Sequence, residues 1–313
     1  MAGLTPITTL HRRPLRPLVM VDWGTSSLRA ALARDETVTE TRHSDQGILK
    51  VPAGGFPHTL QALCGDWLNE PEVLCLISGM AGSAQGWALA PYCPCPAGQP
   101  ELAAHLHWIE ANRIALVPGL SCEHPHAPDV MRGEEVQILG VMQLHGLRDA
   151  QLVLPGTHSK WVTARAGRIE HFSTFMTGEL YAVLRQHSIL GRTLPPMSPD
   201  EALDDDHFDQ GVRLSLQGGS LLHHVFGVRT LALMERVSPV ALASYLSGLV
   251  IGEELRAQDL SPDDTVWVVG SNALQTRYAR ALALRGVQSR SLGDTATWTG
   301  LMSLATPLRQ SPR

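Results

Sequence analysis

The chain has 313 residues, of which 44% are hydrophobic and 18% charged, with a formal net charge of −5. The length suits two domains of ordinary size and the composition is that of a soluble globular protein. The negative balance argues against nucleic acid or an anionic membrane as partner, so an anionic small-molecule substrate would have to be held by a few placed cations.

Residues 1–16 carry Arg12, Arg13 and Arg16 among prolines and lack the apolar core of a signal peptide, so they read as a frayed tail and the cytoplasm is the expected location. The apolar stretches 76–90 and 242–251 are broken by Gly, Gln or Ser. Both fall short of the roughly 18 uninterrupted apolar residues of a membrane span.

Residues 17–22 and 27–33 read as strands, with a third over 36–41. Between the first two lies Asp22-Trp23-Gly24-Thr25-Ser26-Ser27. An acid at the end of a buried strand, a glycine and three hydroxyls before a returning strand make a hairpin suited to wrap a nucleotide phosphate. Glycine admits close approach, N–H groups and hydroxyls donate to phosphate oxygens, and the acid faces magnesium. The same residues suit an ordinary turn. The acid favours the phosphate reading, because a charge at a buried strand end needs a cation or ligand.

A helix is expected over 57–69 from Leu60, Leu63, Trp67 and Leu68. A short strand over 73–77 then runs into the glycine-rich turn Ser78–Gly82, and a further strand covers 114–117. Residues 134–145 return to helical spacing, with Val136, Leu139 and Met142 on one face.

The second half repeats this order. A strand over 151–154 ends at Pro155-Gly156-Thr157-His158-Ser159-Lys160, and strands over 161–164 and 168–175 and a helix over about 178–187 follow. Gly156, Thr157 and Ser159 would reach a triphosphate from a second wall. Lys160 would either meet the phosphates or point to solvent, since residues alternate faces along a strand. Residues 192–238 read as short helical pieces, and Asp204-Asp205-Asp206 within them as a solvated loop or helix start. A helix over 239–257, a strand over 265–269, the turn Gly270-Ser271-Asn272, a helix over 273–284 and a short strand over 287–289 come next, and Asp294 is expected to cap the last helix. The small-residue turn suits either a nucleoside lying against backbone or a plain helix cap.

Two such halves predict an α/β protein of two domains facing a cleft, 17–147 and 148–313, with a helical insertion at about 192–238. Just before the helix closing the first half stands Asp129-Val130-Met131-Arg132-Gly133-Glu134-Glu135. Its two glutamates complement a helix dipole. One of them can also accept the proton of a hydroxyl undergoing phosphorylation, and Arg132 can pair with a substrate carboxylate. Five cysteines at irregular spacing form no disulfide framework. Cys93-Pro94-Cys95 lacks a second Cys or His pair at zinc spacing and reads as two cysteines in a Pro-rich loop, and most of the 14 histidines read as surface residues.

The blocks DWGTSSLRA, GMAGS, DVMRGEEVQILG, LPGTHSKWV, TFMTGELYAVLRQHSILGR and VVGSNALQTRYARAL, in this order from about residue 19 to 285, resemble the 2-dehydro-3-deoxygalactonokinase family. The resemblance implies two ribonuclease-H-like domains of the actin/hexokinase/Hsp70 type. It also implies magnesium-ATP and phosphorylation of the 6-hydroxyl of 2-dehydro-3-deoxy-D-galactonate. Carried onto this sequence, it places Asp22, Gly24, Thr25, Ser26 and Ser27 in the first phosphate motif, with Asp22 toward the metal. Gly156, Thr157, Ser159 and Lys160 fall in the second motif, and Gly270, Ser271 and Asn272 in the nucleoside motif. It makes Glu134 the base, with Glu135 and Asp129 as alternatives, and puts Arg29, Arg132, Thr174 and Thr177 on the substrate side. Pro155 stands where many members of the fold place an acid. An exopolyphosphatase-type phosphohydrolase and a non-catalytic nucleotide-binding regulator are the competing expectations on the same scaffold.

Overall fold

The computed structural model describes residues 15–198, 201–292 and 296–310. Asp294 and nearly all of the N-terminal tail therefore lie outside the described residues. In chain order the regular elements are β1 (Leu18–Trp23), β2 (Leu28–Arg34), β3 (Thr37–Ser44), α1 (Phe56–Leu68), β4 (Leu74–Gly79), β5 (Tyr92–Pro94), α2 (Gln99–Ala104), β6 (His107–Glu110), β7 (Ile114–Leu116), β8 (Gly119–Cys122), β9 (Asp129–Met131) and α3 (Glu134–His145). They continue with β10 (Ala150–Leu154), β11 (Ser159–Arg165), β12 (Arg168–Phe175), α4 (Thr177–His187), α5 (Asp205–Leu216), α6 (Leu221–Leu233), α7 (Pro239–Arg256), β13 (Thr265–Val269), α8 (Asn272–Leu284), β14 (Gln288–Leu292) and α9 (Ala296–Gln310).

The chain packs as two compact units. The first comprises residues up to Pro91, Leu102–Pro118 and residues from Leu301 onward; the second comprises Tyr92–Glu101 and Gly119–Gly300. The division differs from the expected one after residue 147, and packing explains the difference. Helix α3 lies against β10, and Gly140 on it meets the backbone of Ala296, so α3 belongs with the second sheet.

The first unit holds a sheet ordered β3-β2-β1-β4-β7-β6. Strands β1, β2 and β3 form an antiparallel meander, while β4 and β7 run parallel to β1. Val19, Val21 and Trp23 of β1 join Leu60, Trp67 and Leu68 of α1 in one core, which is why the helical spacing of 57–69 and the alternation of β1 agree.

The second unit repeats that order as β12-β11-β10-β13-β14, again with an antiparallel meander followed by parallel strands. Two sheets built on one 3-2-1-4-5 scheme are the ribonuclease-H-like pair of the actin/hexokinase type. In each, the hairpin after the first strand emerges at the carboxyl ends of the parallel strands, where ligands of open α/β sheets bind. A three-stranded sheet, β5-β8-β9, completes the second unit. Cys93 lies on β5, so the expected Pro-rich loop is in part a strand.

Among the described residues, no helix is long and apolar enough to cross a membrane. Helix α7 is instead buried nearly all round within the second unit, and its Glu254 is 2% exposed. That carboxylate accepts hydrogen bonds from Trp161 Nε1 at 2.6 Å, from Tyr278 Oη at 2.8 Å and from Thr177 Oγ1. Ser159 Oγ and Tyr278 Oη, 3.0 Å apart, extend the network. Burial raises the Glu254 pKa, and the donors from Thr177, Trp161 and Tyr278 oppose the rise.

Removing the carboxylate would leave several buried donors with no acceptor. Glu254→Ala should therefore destabilise the protein by about 3 kcal/mol, within the range for breaking a buried charged network. Chemical denaturation checks this; a loss below about 1 kcal/mol, the worth of one ordinary hydrogen bond, would mean the network is not supporting the fold.

Candidate active site

In the first unit, the site begins at the end of β1. Asp22 pairs across the sheet with Arg29 on β2 and lies beside Ser78 on β4. The Arg29 guanidinium donates twice to Asp22 Oδ2, from Nη2 at 2.5 Å and Nε at 3.2 Å. The Asp22 side chain is 20% exposed, so its carboxylate reaches solvent at the strand end. Arg29, expected on the substrate side, is thus the partner that orients Asp22.

The hairpin that follows closes with the Gly24 N–H donating to Ser27 O at 2.9 Å. Thr25, Ser26 and Ser27 are exposed. The outer side of the hairpin is fastened by Ile48 N–H to Gly24 O and Leu49 N–H to Thr25 O. The residues the sequence assigned to a phosphate are therefore held by backbone, with their hydroxyls outward.

In the second unit, the hairpin after β10 presents Gly156, Thr157 and His158 at its tip. Helix α4 starts directly against it: a Cβ on Gly178 would stand 2.3 Å from Gly156 O, so only glycine permits this approach. The Glu179 N–H donates to Thr157 O at 2.9 Å, and Glu179 Oε2 lies 2.5 Å from His158 Nε2.

The rest of the motif points inward. Ser159 is fully buried, and its hydroxyl belongs to the Glu254 network. That corrects its expected phosphate contact, since a hydroxyl on a buried strand takes an internal partner. Lys160 is 5% exposed, which excludes the solvent alternative. Its Nζ stands 3.7 Å from Glu134 Oε1.

Glu134 opens α3 behind Gly133, whose φ of 104° is the left-handed backbone that turns the chain from β9 into the helix. Glu134 Oε2 accepts the Arg132 N–H at 3.0 Å, and Glu135 Oε2 accepts the Gly133 N–H at 2.6 Å. Both glutamates thus fold back onto the turn that leads into the helix. Glu134 keeps 27% of its side chain exposed, whereas Glu135 is fully buried. Desolvation, then the charge of Glu134, pushes the Glu135 carboxyl up to about 8.

Asp129 on β9 is committed elsewhere. Its Oδ2 accepts the Thr174 N–H at 2.6 Å, and its Oδ1 accepts the Thr174 hydroxyl at 2.6 Å and the Val130 N–H at 2.7 Å. Thr174 and Thr177, expected on the substrate side, therefore direct their hydroxyls to Asp129 and Glu254. Arg132 is 9% exposed, with its guanidinium 4.5 Å over the Tyr92 ring. The remaining turn, Gly270-Ser271-Asn272, leaves β13 beside Pro155, with Ser271 and Asn272 exposed. Gln275 Nε2 donates to Gly270 O at 2.6 Å and fixes the turn from behind.

The sequence reading missed Glu254 and Tyr278. The available signal was an acid inside the apolar helix 239–257, since a charge on such a face must have a partner. The pairing of Glu134 with Lys160 left no trace in the sequence.

The chain was compared with known proteins. The sequence model of the family described as 2-keto-3-deoxy-galactonokinase matches residues 22–304. The 2-dehydro-3-deoxygalactonokinase of Escherichia coli (strain K12) is 32% identical over 290 residues, covering 92% of this chain and 97% of that protein. The probable 2-dehydro-3-deoxygalactonokinase DgoK1 of Rhizobium meliloti (strain 1021) is 34% identical over 291 residues, covering 91% and 95%. A crystal structure of a Sinorhizobium meliloti protein assigned as a 2-dehydro-3-deoxygalactonokinase superposes with a TM-score of 0.86 at 33% identity, covering 94% of this chain and all of that one. Matched along most of its length in sequence and in structure, the chain belongs to the 2-keto-3-deoxy-galactonokinase family.

Proposed function

We propose that the protein transfers the γ-phosphate of ATP to the 6-hydroxyl of 2-dehydro-3-deoxy-D-galactonate, in the cytoplasm and in the service of galactonate breakdown. The family supports a phosphotransferase with an alcohol acceptor. The observation carrying the residue assignment is the state of the three acids before and within the first turn of α3. Asp129 is consumed by Thr174 and Val130, and Glu135 is fully buried. Glu134 alone of the three joins partial exposure to a cation, Lys160 at 3.7 Å.

In this reading Glu134 takes the proton of the 6-hydroxyl as that oxygen bonds to the γ-phosphorus and the bond to the β-phosphate oxygen breaks. The products are ADP and the 6-phosphate, and the proton leaves from Glu134. Lys160 holds Glu134 in place and offers positive charge beside the hairpin. Gly24, Thr25, Ser26 and Ser27 are assigned to the phosphates, as are Gly156 and Thr157, while Gly270, Ser271 and Asn272 are assigned to the nucleoside.

Asp22 would hold magnesium. A single carboxylate suits that ion, which keeps several waters and takes the rest of its oxygens from phosphates. Arg29 occupies Oδ2, so Oδ1 is the oxygen available for the ion. When bound, magnesium neutralises the charge on the phosphate oxygens.

Three expected outcomes test this reading. ADP formation should require a 2-dehydro-3-deoxy sugar acid; gluconate, galactonate and polyphosphate should give none, and phosphate release from polyphosphate would overturn the kinase. Glu134→Gln should lower kcat by about 10²–10⁴, the range for a lost general base, with ATP binding retained in calorimetry. Asp22→Asn should abolish turnover.

The raised Glu135 pKa carries a pH dependence. In the unfolded chain this carboxyl ionises near the ordinary 4.5 of a glutamate, in the folded protein at about 8. The folded state therefore binds the extra proton between those values, and stability falls as pH rises from about 4.5 to 8. Thermal unfolding of wild type and Glu135→Gln should diverge across that window, with the variant flatter; parallel curves would mean Glu135 is ionised in the fold at neutral pH.

A further inference from the structure

The three-stranded sheet of the second unit gathers side chains that the phosphotransfer reading does not use. Cys122 ends β8, His124 follows it, and His171 lies on β12. One ligand atom from each of the three lies within 4.8 Å of the others. The two rings meet edge to face, with centroids 4.7 Å apart.

The His124 ring is held by the backbone. Its Nε2 stands 2.8 Å from Phe172 O. A carbonyl only accepts, so Nε2 carries the proton and Nδ1 keeps its lone pair. A backbone carbonyl holding the far nitrogen is the usual support of a metal-bound histidine.

Cys95 borders this group, with its thiol outside the set that lies within 4.8 Å. Strand β5 runs parallel to β8 with Pro94 opposite Ser121, and the Cys95 N–H donates to Ser121 O at 2.8 Å. The next position in that register sets Cys95 beside Cys122. Cys122 is buried, Cys95 and His124 are partly exposed and His171 is exposed, which leaves a path for an ion.

We propose that Cys95, Cys122, His124 and His171 form a tetrahedral site for a borderline-soft divalent metal ion, zinc being the natural occupant. Two thiolates and two imidazoles select zinc over magnesium or calcium, which take oxygen. Zinc bonds of about 2.0–2.3 Å place ligand atoms about 3.3–3.8 Å apart, so Cys122, His124 and His171 close on an ion by about 1 Å and Cys95 swings in from beside them.

The role is structural. Two thiolates cancel the charge of the ion, and four protein ligands leave no open position. The ion would fasten β5 and β8 to β12, a junction that the Ala97–Ile169 bridge, the His124–Phe172 bond, the Asp129–Thr174 bonds and the bond from Arg168 to Pro96 O also carry. Strand β9, paired with β8, leads directly into Gly133 and Glu134.

Sequence spacing concealed this set, because the Cys-x-Cys pair contributes one ligand and its partners come from two other strands. The test is cobalt titration of the full-length, untagged, reduced protein. One cobalt should bind per chain with a sulfur-to-cobalt charge-transfer band, and zinc should displace it. Cys122→Ser and His171→Ala should abolish tight binding, Cys95→Ser should weaken the band, and circular dichroism checks that each variant folds. In the unaltered protein, zinc should slow alkylation of Cys95 and Cys122 and leave buried Cys64 and Cys75 unaffected. A titration without the band, a band that survives Cys122→Ser, or alkylation indifferent to zinc overturns the site. So does a Cys95–Cys122 disulfide in the reduced preparation.

Discussion

A carboxylate withdrawn from water must be surrounded by donors, and in the second unit that requirement falls on Glu254. Its three donors come from β11, α4 and α8, while the acid itself sits on α7. One buried carboxyl group therefore ties together the strand that carries Lys160, the helix that abuts the hairpin at 156–158 and the helix that follows the turn at 270–272. If that helix shifted, the donors would lose their acceptor together, and the penalty for unpaired buried polar groups would fall on all of them. The geometry at the surface of this unit is set by an acid buried within it.

The two units solve one geometrical problem twice. A central strand receives an antiparallel neighbour on one side and a parallel neighbour on the other, so its hairpin must emerge where the parallel strands end. The first unit spends its acid there, on Asp22, and balances it with Arg29. The second has Pro155 at the end of its central strand and brings its charge from farther away, as Lys160 and Glu134. The two hairpins thus differ in their charged residues on a symmetric backbone.

Much of the backbone was legible in the sequence, because its signals are local. The hairpins at 22–27 and 155–160, the helices at 134–145 and 239–257 and the strand at 265–269 all rest on periodicity, glycine and capping residues, and they stand where expected. The small sheet was not legible: β5 and β9 are three residues each, too short for alternation to register. At the site, types and positions could be read but partners could not. Thr174, Thr177 and Ser159 looked like hydroxyls offered to a ligand, and each proved to satisfy an internal group. Whether a hydroxyl faces a substrate or a buried acid is decided by a residue 45 positions away in one case and 77 in another, and no local pattern encodes that.

The missing side chain of Gly178 has a mechanical consequence. With Gly156 O standing where a Cβ would sit, and with Thr157 O accepting from the first turn of α4, the hairpin tip and the helix have no slack between them. A shift of either one meets the backbone of the other, so the tip rests on a helix 11 residues long and not on a flexible strap. A side chain at position 178 would therefore part the tip from the start of α4, while the far end of the helix stays fastened where Arg185 grips Glu201 and the carbonyl of Pro195.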